Sequence, residues 1–518
     1  MRKHRSAAVA AASFLLVTGA VIVTAPSAYA GIPGGTHAND RNTDFNGDGY
    51  DDVLVGGPRA AVGGHKGAGM VTVQYGGPKG IGTTRGKAFS QNTTGVPGAA
   101  ETGDGFGTSL ATGDLDGDGY DDAIIGIPGE DLGAVADAGG AVVLWGTPNG
   151  LTGSASDWLQ ADDLDLTTGG RFGAGLAAAH FGDTTPGDLL AVMDSFGVTV
   201  YGFESAPQPT AKSADSQARR PVQKSRTTLT SPPRQTLSRA SADDPPGIQP
   251  KSMTTGDYDN NGFADLIVSG TSLGDEPGYG WSFILPGTAS NEEPLPITAV
   301  RGGPVVASGD INRDGYDDLV TGEPHSPDDG GASMTGGMVG VYYGSADGPA
   351  GQEGPGTPPV WWTQNSAGVP GTSERGDGFG TDLSVGDSNG DGYGDVAIGV
   401  AGEDIGSVAD AGAVTVLRGS VKGMTSTGAL SVNQGTANVP GTVEKGDKFG
   451  GQVSFTDPND DGRFGLLASA PGENTNDGYV WVFSAGSSGL TTSGSWSYGP
   501  SAFGGLPTDA LYGAAIDD

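Results

Sequence analysis

The sequence predicts an all-β protein: a seven-bladed β-propeller of four-stranded blades, with a disordered insertion between the third and fourth blades. Three observations lead there. A self-similar unit recurs seven times in 518 residues, starting near residues 44, 114, 180, 257, 310, 387 and 457, a period of about 70. Each unit reads as four short strands, which suits small sheets stacked radially with their edges shielded. The end of the chain resembles the one strand that the first unit lacks. Repetition also lets a long chain build many small cores instead of one oversized core. The 96 glycines follow no three-residue period, so they mark turns between strands and not a collagen helix.

Taken in chain order, residues 1–30 read as an export signal. Arg2, Lys3 and Arg5 form a basic start, an apolar run spans Ala7 to Val23, and Ala28-Tyr29-Ala30 gives a small-residue cleavage pattern. Cleavage near Ala30 would release residues 31–518 as a secreted, extracellular protein without a transmembrane anchor. The chain has no cysteine, which excludes disulfides, thiolate zinc sites and thiol catalysis. The Ala-, Gly- and Asp-rich, lysine-poor usage points to a bacterial protein.

The second unit shows the strand plan. Phe106-Gly107 to Thr112 is the first strand, Ala123 to Ile127 the second and Gly140 to Trp145 the third. The fourth carries an aromatic-x-Gln pattern, as in Phe89-x-Gln91, Trp158-x-Gln160 and Trp362-x-Gln364, with looser versions at Val432-x-Gln434 and Trp496-x-Tyr498. These aromatic residues are expected to pack one unit against the next. The first unit opens at its Asp-rich loop, and Leu511 to Ile516 resembles its missing first strand. The tail is therefore expected to complete the first blade and close the ring. Glu204 to Pro250 is rich in Pro, Ser, Thr, Gln and Arg and poor in apolar residues, with Arg219, Arg220, Lys224, Arg226, Arg234 and Arg239 making it basic. It is read as the disordered insertion.

The Asp-rich loops follow the pattern DxDxDGxxD. Oxygen ligands at alternating positions suit calcium, which takes six to eight oxygens at about 2.3–2.6 Å. Five loops are nearly complete, and position seven of each offers a backbone carbonyl. The first has Asp44, Asn46, Asp48, Tyr50 and Asp52; the second has Asp114, Asp116, Asp118, Tyr120 and Asp122. The fourth unit has Asp257, Asp259, Asn261, Phe263 and Asp265. The fifth has Asp310, Asn312, Asp314, Tyr316 and Asp318, and the sixth Asp387, Asn389, Asp391, Tyr393 and Asp395. About five Ca2+ ions per chain are expected, with a weak sixth at Asp457, Asn459 and Asp461, where Gly465 replaces the closing acid. The third unit has His180, Gly182 and Thr184 at ligand positions and is expected to be metal-free. EF-hands close with a Glu at position twelve; here that position holds Val55, Ile125, Val268, Thr321 and Ile398, so each loop leads into a strand.

Phe-Gly openings, DxDxDGxxD loops and the Pro turns at Gly57-Pro58, Ile127-Pro128, Glu323-Pro324 and Ala470-Pro471 together resemble FG-GAP repeats, over residues 40–518. Such repeats form the β-propeller of integrin α-subunits and of related bacterial secreted proteins. The resemblance implies calcium between the first two strands of several blades and a role in adhesion or ligand binding. It also implies an alternative, because related propellers accompany phospholipase-type hydrolases.

Catalytic signals are weak. Gly386-Asp387-Ser388-Asn389-Gly390 matches a nucleophile elbow, but it lies in an Asp loop and opens no helix. The histidines, at 4, 37, 65, 180 and 325, show no metal-ligand spacing. Arg375-Gly376-Asp377 spells an adhesion tripeptide, yet sister units have Thr102-Gly103-Asp104 and Lys445-Gly446-Asp447 there, which makes it a repeat turn. The net charge of −35 repels nucleic acid and anionic membranes. The sequence reading is thus a monomeric, non-enzymatic calcium-binding scaffold for an unidentified protein or glycan ligand. The alternative is an extracellular hydrolase with an unrecognised active site.

Overall fold

A computed structural model describes residues 43–162, 165–182, 187–205, 219–230, 245–273, 278–289, 297–325, 335–349, 359–505 and 508–517. Residues 1–30, read as the export signal, lie outside them. The described strands form seven four-stranded antiparallel sheets, each one blade of a propeller. Blade 1 contains β1 (Val53–Gly57), β2 (Met70–Gln74) and β3 (Lys87–Phe89). Blade 2 runs β4 (Leu110–Gly113), β5 (Asp122–Ile127), β6 (Gly140–Leu144), β7 (Ser156–Leu159). Blade 3 runs β8 (Gly175–Ala179), β9 (Leu189–Met193), β10 (Gly197–Ser205), β11 (Arg219–Thr228). Blade 4 runs β12 (Ile248–Gly256), β13 (Asp265–Ser272), β14 (Gly280–Leu285), β15 (Thr298–Arg301). Blade 5 runs β16 (Val305–Gly309), β17 (Asp318–Glu323), β18 (Met338–Tyr342), β19 (Val360–Trp362). Blade 6 runs β20 (Phe379–Gly386), β21 (Asp395–Val400), β22 (Ala413–Arg418), β23 (Thr425–Val432). Blade 7 runs β24 (Val453–Thr456), β25 (Gly465–Ala470), β26 (Tyr479–Gly486), β27 (Gly489–Tyr498). The last strand, β28 (Ala515–Ile516), returns to blade 1.

The middle strands of each blade are mostly apolar and buried because a neighbouring blade covers each face. Val53, Leu54 and Val55 on β1 and Ile124 and Ile125 on β5 are fully or almost fully buried. The cores therefore lie between blades. Leu54, Val71 and Val73 of blade 1 pack with Ala123, Ile125 and Val142 of blade 2. Val53 and Val55 pack through the other face against Leu467 and Val480 of blade 7. The predicted packing role of the aromatic-x-Gln residues holds, since Phe89 is buried in an inter-blade cluster and Trp158 packs against it. The glutamines add a polar lock. Gln91, Gln364 and Gln434 donate their amides to Glu130, Glu403 and Glu473 of the following blade at 2.7, 2.6 and 2.5 Å.

The predicted closure is present. β28 pairs antiparallel with β1, Ile516 opposite Val55 and Ala515 opposite Gly56. Ser454 of blade 7 donates to the Asp517 carbonyl at 3.0 Å, and Thr43 donates to the Asp517 carboxylate at 3.1 Å. Thr43 also meets Thr112 of blade 2 at 3.2 Å. Thr43 and the segment around Asp517 thus join blades 7, 1 and 2.

Two expectations are revised. The first strand of the second unit was expected from Phe106, but its ladder begins at Leu110. Phe106 instead forms a parallel bridge with Gly69 of blade 1, with its ring buried. The Phe-Gly pair is therefore an anchor onto the preceding blade. Gly107 has φ 86°, and a side chain there would collide with Val71. The expectation of a disordered insertion over 204–250 is also revised where the segment is described. Residues 219–228, inside the 204–250 interval, form β11, the outer strand of blade 3, and residues 248–250 begin β12. The residues at 206–218 and 231–244 lie outside the described set. Among the described residues, no helix is long and apolar enough to cross a membrane.

Candidate metal centres

Each Asp loop is folded by its own first carboxylate. Asp44 accepts N–H bonds from Asn46, Gly47 and Asp48 on one oxygen and from Gly49, at 2.7 Å, on the other. The bond to the position-six glycine recurs from Gly119, Gly262, Gly315, Gly392 and Gly462. Every one of these glycines has positive φ, which explains the residue choice at that turn. The N–H groups of Tyr120, Phe263, Tyr316 and Tyr393 point back to position five.

The closing carboxylate is held from two sides. Asp122 accepts from Leu115 N–H at 3.0 Å and from Gly146 N–H, at the end of the third strand, at 2.9 Å. Asp52, Asp265, Asp318 and Asp395 take the corresponding glycine N–H from Gly76, Gly287, Gly344 and Gly419. A regular glycine after the third strand was the sequence signal for this clamp.

Neighbouring loops are hydrogen-bonded into a belt. N–H groups of Asp121, Asp188, Ala264, Asp317, Gly394 and Phe464 donate to the carbonyls of Asp44, Asp114, His180, Asp257, Asp310 and Asp387. Each bond joins one loop to the loop before it. Gly77 N–H to the Pro458 carbonyl, at 2.8 Å, and Asp457 N–H to the Asp51 carboxylate, at 2.9 Å, close the belt from loop 7 to loop 1. The described residues of the seven loops therefore share one face of the ring.

The loops differ in how far their ligands converge. In loop 2, oxygens of Asp114, Asp116 and Asp122 all lie within 4.8 Å of one another. Among the described residues this is the one cluster of three or more acidic, histidine or cysteine side chains that tight. In loop 1, Asp48 turns to Arg85 at 3.0 Å, a half-exposed pair. In loop 4, the Asn261 amide donates to the Gly287 carbonyl at 3.2 Å, while Asp259 accepts from Asn261 N–H. In loops 5 and 6, Asn312 and Asn389 donate their amides to Asp314 and Asp391, each at 2.9 Å. In loop 6, Asp395 also receives Arg418 at 2.5 Å and Ser388 at 2.6 Å. Sequence reasoning missed Arg418, which reaches Asp395 only through strand pairing.

The third and seventh loops have no acid at the closing position. In blade 3, Ala179 pairs with Leu189 as Gly113 pairs with Asp122, so a leucine holds the closing position. His180 stacks on Phe263 with ring centroids 5.4 Å apart; Thr184 lies outside the described residues. In loop 7, Gly465 pairs with Thr456 at the closing position, and Asp461 lies 3.8 Å from Arg463.

Burial makes these acids hard to ionise. Desolvation raises Asp52 to about 8, helped by the charges of Asp44 and Asp48. It raises Asp265 and Asp318 to about 7 and Asp114 to about 6. Asp122 is pushed well above the ordinary carboxylate range, first by burial and then by Asp116 and Asp114. Clustered hard oxygens whose ionisation calls for a compensating positive charge fit a divalent cation of the calcium type. Loop 2 fits best.

Comparison with known proteins identifies the repeats. Residues 42–73, 106–150, 302–334 and 379–417 match the FG-GAP repeat family. These segments contain or adjoin loops 1, 2, 5 and 6. Over 195 residues the chain is 31% identical to phosphatidylinositol-glycan-specific phospholipase D of Mus musculus, a match covering 36% of this chain and 21% of that protein.

Proposed function

We propose that this chain, which carries FG-GAP repeats in a seven-bladed propeller like that of integrin α-subunits, is a secreted binding scaffold that calcium stiffens on one face. The observation that carries the reading is the convergence of Asp114, Asp116 and Asp122 within a belt that places every loop on one side. Calcium would be held by the side chains at positions one, three, five and nine and by the position-seven carbonyl. It would supply charge neutralisation where carboxylates otherwise repel. A ligand binding only the folded state stabilises it by RT ln(1 + [L]/Kd), about 2–3 kcal/mol per site at a hundredfold excess. The cation face then serves as a rigid base, and the opposite face is left to engage a protein or glycan.

The experiment is capture of secreted proteins, glycans and cell-wall polymers on the immobilised chain, in millimolar calcium and in chelator. Specific capture that survives Asp122→Ala places the ligand away from loop 2. No capture in either condition counts against the scaffold reading.

One observation favours a second reading. The relative matched over 195 residues is named as a phospholipase D, so a hydrolase of phosphodiester-linked lipids is the alternative. The described histidines, His65, His180 and His325, belong to blades 1, 3 and 5. Turnover of a phosphatidylinositol-glycan substrate by the purified chain would establish the alternative.

A further inference from the structure

In the five blades that have a closing aspartate, one position stands immediately before the glycine that clamps it. In blades 1 and 5 it is Tyr75 and Tyr343, whose hydroxyls accept N–H bonds from Leu151 and Met424 of the next blade at 2.8 and 2.9 Å. In blade 2 it is Trp145, whose indole N–H goes to Asp157 at 2.8 Å. In blade 6 it is Arg418. One guanidinium nitrogen donates to Asp395 and to Ser388, each at 2.5 Å, and the other donates to the Ser488 carbonyl of blade 7 at 3.0 Å. The pair is enclosed: the Arg418 side chain is 12% exposed and that of Asp395 1%. Two more arginines border the same loop. Arg313 of loop 5 donates to the Asp391 carbonyl at 3.3 Å, and Arg463 of loop 7 packs against Gly390.

We propose that Arg418 is the resident cation of blade 6: its guanidinium replaces calcium at Asp395 and ties the loop to blade 7. The inference rests on the calcium reading of the sister loops. A calcium ion at 2.3–2.6 Å from the closing carboxylate would have to displace a guanidinium already bonded to the same oxygen, and would face its positive charge at close range. The tethered group is present at every calcium concentration, so this blade keeps its loop when the others lose their ions. It also pairs within a nearly buried setting, where an arginine fork holds its geometry better than a lysine would. Loop 6 therefore does not count among the calcium sites, although its spacing qualifies it by sequence.

The test is metal counting on the full-length protein, with calcium alone as the probe, by equilibrium dialysis and elemental analysis. Parent protein, Asp122→Asn, Asp395→Asn, Arg418→Gln and Arg418→Lys are compared. The expected result is that Asp122→Asn binds about one ion fewer than the parent, Asp395→Asn binds as many, and Arg418→Gln binds about one more. Arg418→Lys, which keeps the charge, binds no extra ion. Thermal melting gives a second readout: Arg418→Gln melts below the parent in chelator, and calcium narrows that gap. Loss of an ion in Asp395→Asn, or a folded Arg418→Gln that binds no extra ion, overturns the proposal. If Arg418→Gln does not fold, the Asp395→Asn and Arg418→Lys counts decide. A parent and Asp122→Asn that both bind nothing would instead sink the calcium reading of the sister loops; the Arg418→Gln count would still judge this one.

Discussion

A carboxylate buried beside two others, as Asp122 is beside Asp114 and Asp116, gives up its proton less readily than an exposed one, and a bound cation would offset that. This gives the metal-free protein a specific pH dependence. Asp52 is raised to about 8, and Asp265 and Asp318 to about 7, mainly by burial. Their folded values lie above the unfolded value of 3.8, so the folded state holds more protons between the two. The stability they contribute is fully present below about pH 4 and is lost as pH rises through about 7–8. Calcium binds the ionised form and gains as pH rises. Melting curves should therefore show the chelator-treated protein weakening from about pH 5 to pH 8, while the separation from the calcium-loaded protein widens. A separation that stays constant over that range contradicts the assignment of these aspartates as ligands. The same residues show where sequence reading stops. Position in the repeat identified the ligand candidates because alternating oxygens leave a regular trace. Arg418 left none, because it is brought to Asp395 only when β21 and β22 pair.

Strands were legible in proportion to their burial. The second and third strands of each blade are covered on both faces, so their apolar runs announce them. Outer strands carry a different pattern: in β27 only Gly489 and Tyr498 are buried, and the residues between are partly or fully exposed. β11 lies in a segment read as disordered because Arg219 to Thr228 offers few apolar residues, yet it pairs with β10 over its length. Its Arg226 reaches Asp194 at 2.8 Å. The shortest strand, β28, was legible because it copies a repeat phrase, and its contribution exceeds its length. Tyr512, just before it, is fully buried and meets the Thr72 hydroxyl at 2.5 Å. Gly513 and Asp517 donate to the Gly56 and Leu54 carbonyls of β1. Tyr512→Ala should cost about 3–5 kcal/mol, as for other large buried aromatics. Deleting 511–518 should also expose the β1 edge and promote aggregation. Chemical denaturation and light scattering check both; a truncated chain as stable and monodisperse as the parent would argue against a closed ring.

At the scale of the whole molecule, the belt of loop-to-loop hydrogen bonds and the inter-blade cores join the blades into one ring with two unlike faces. One face carries the Asp loops, bonded in sequence from loop 1 round to loop 7 and back. Among the described residues, Phe-Gly anchors join blades 1–2, 2–3, 5–6 and 6–7, and Gln-to-Glu locks join 1–2, 5–6 and 6–7. The most direct test is thermal melting across a calcium titration of three proteins: the parent, Asp122→Ala and Asp457→Ala. The account predicts that calcium raises the melting temperature of the parent, that Asp122→Ala forfeits a clear part of that rise, about 2–3 kcal/mol of stabilisation, and that Asp457→Ala, in a loop closed by Gly465, forfeits much less. Identical curves for the parent with and without calcium, or equal losses in the two variants, would contradict it.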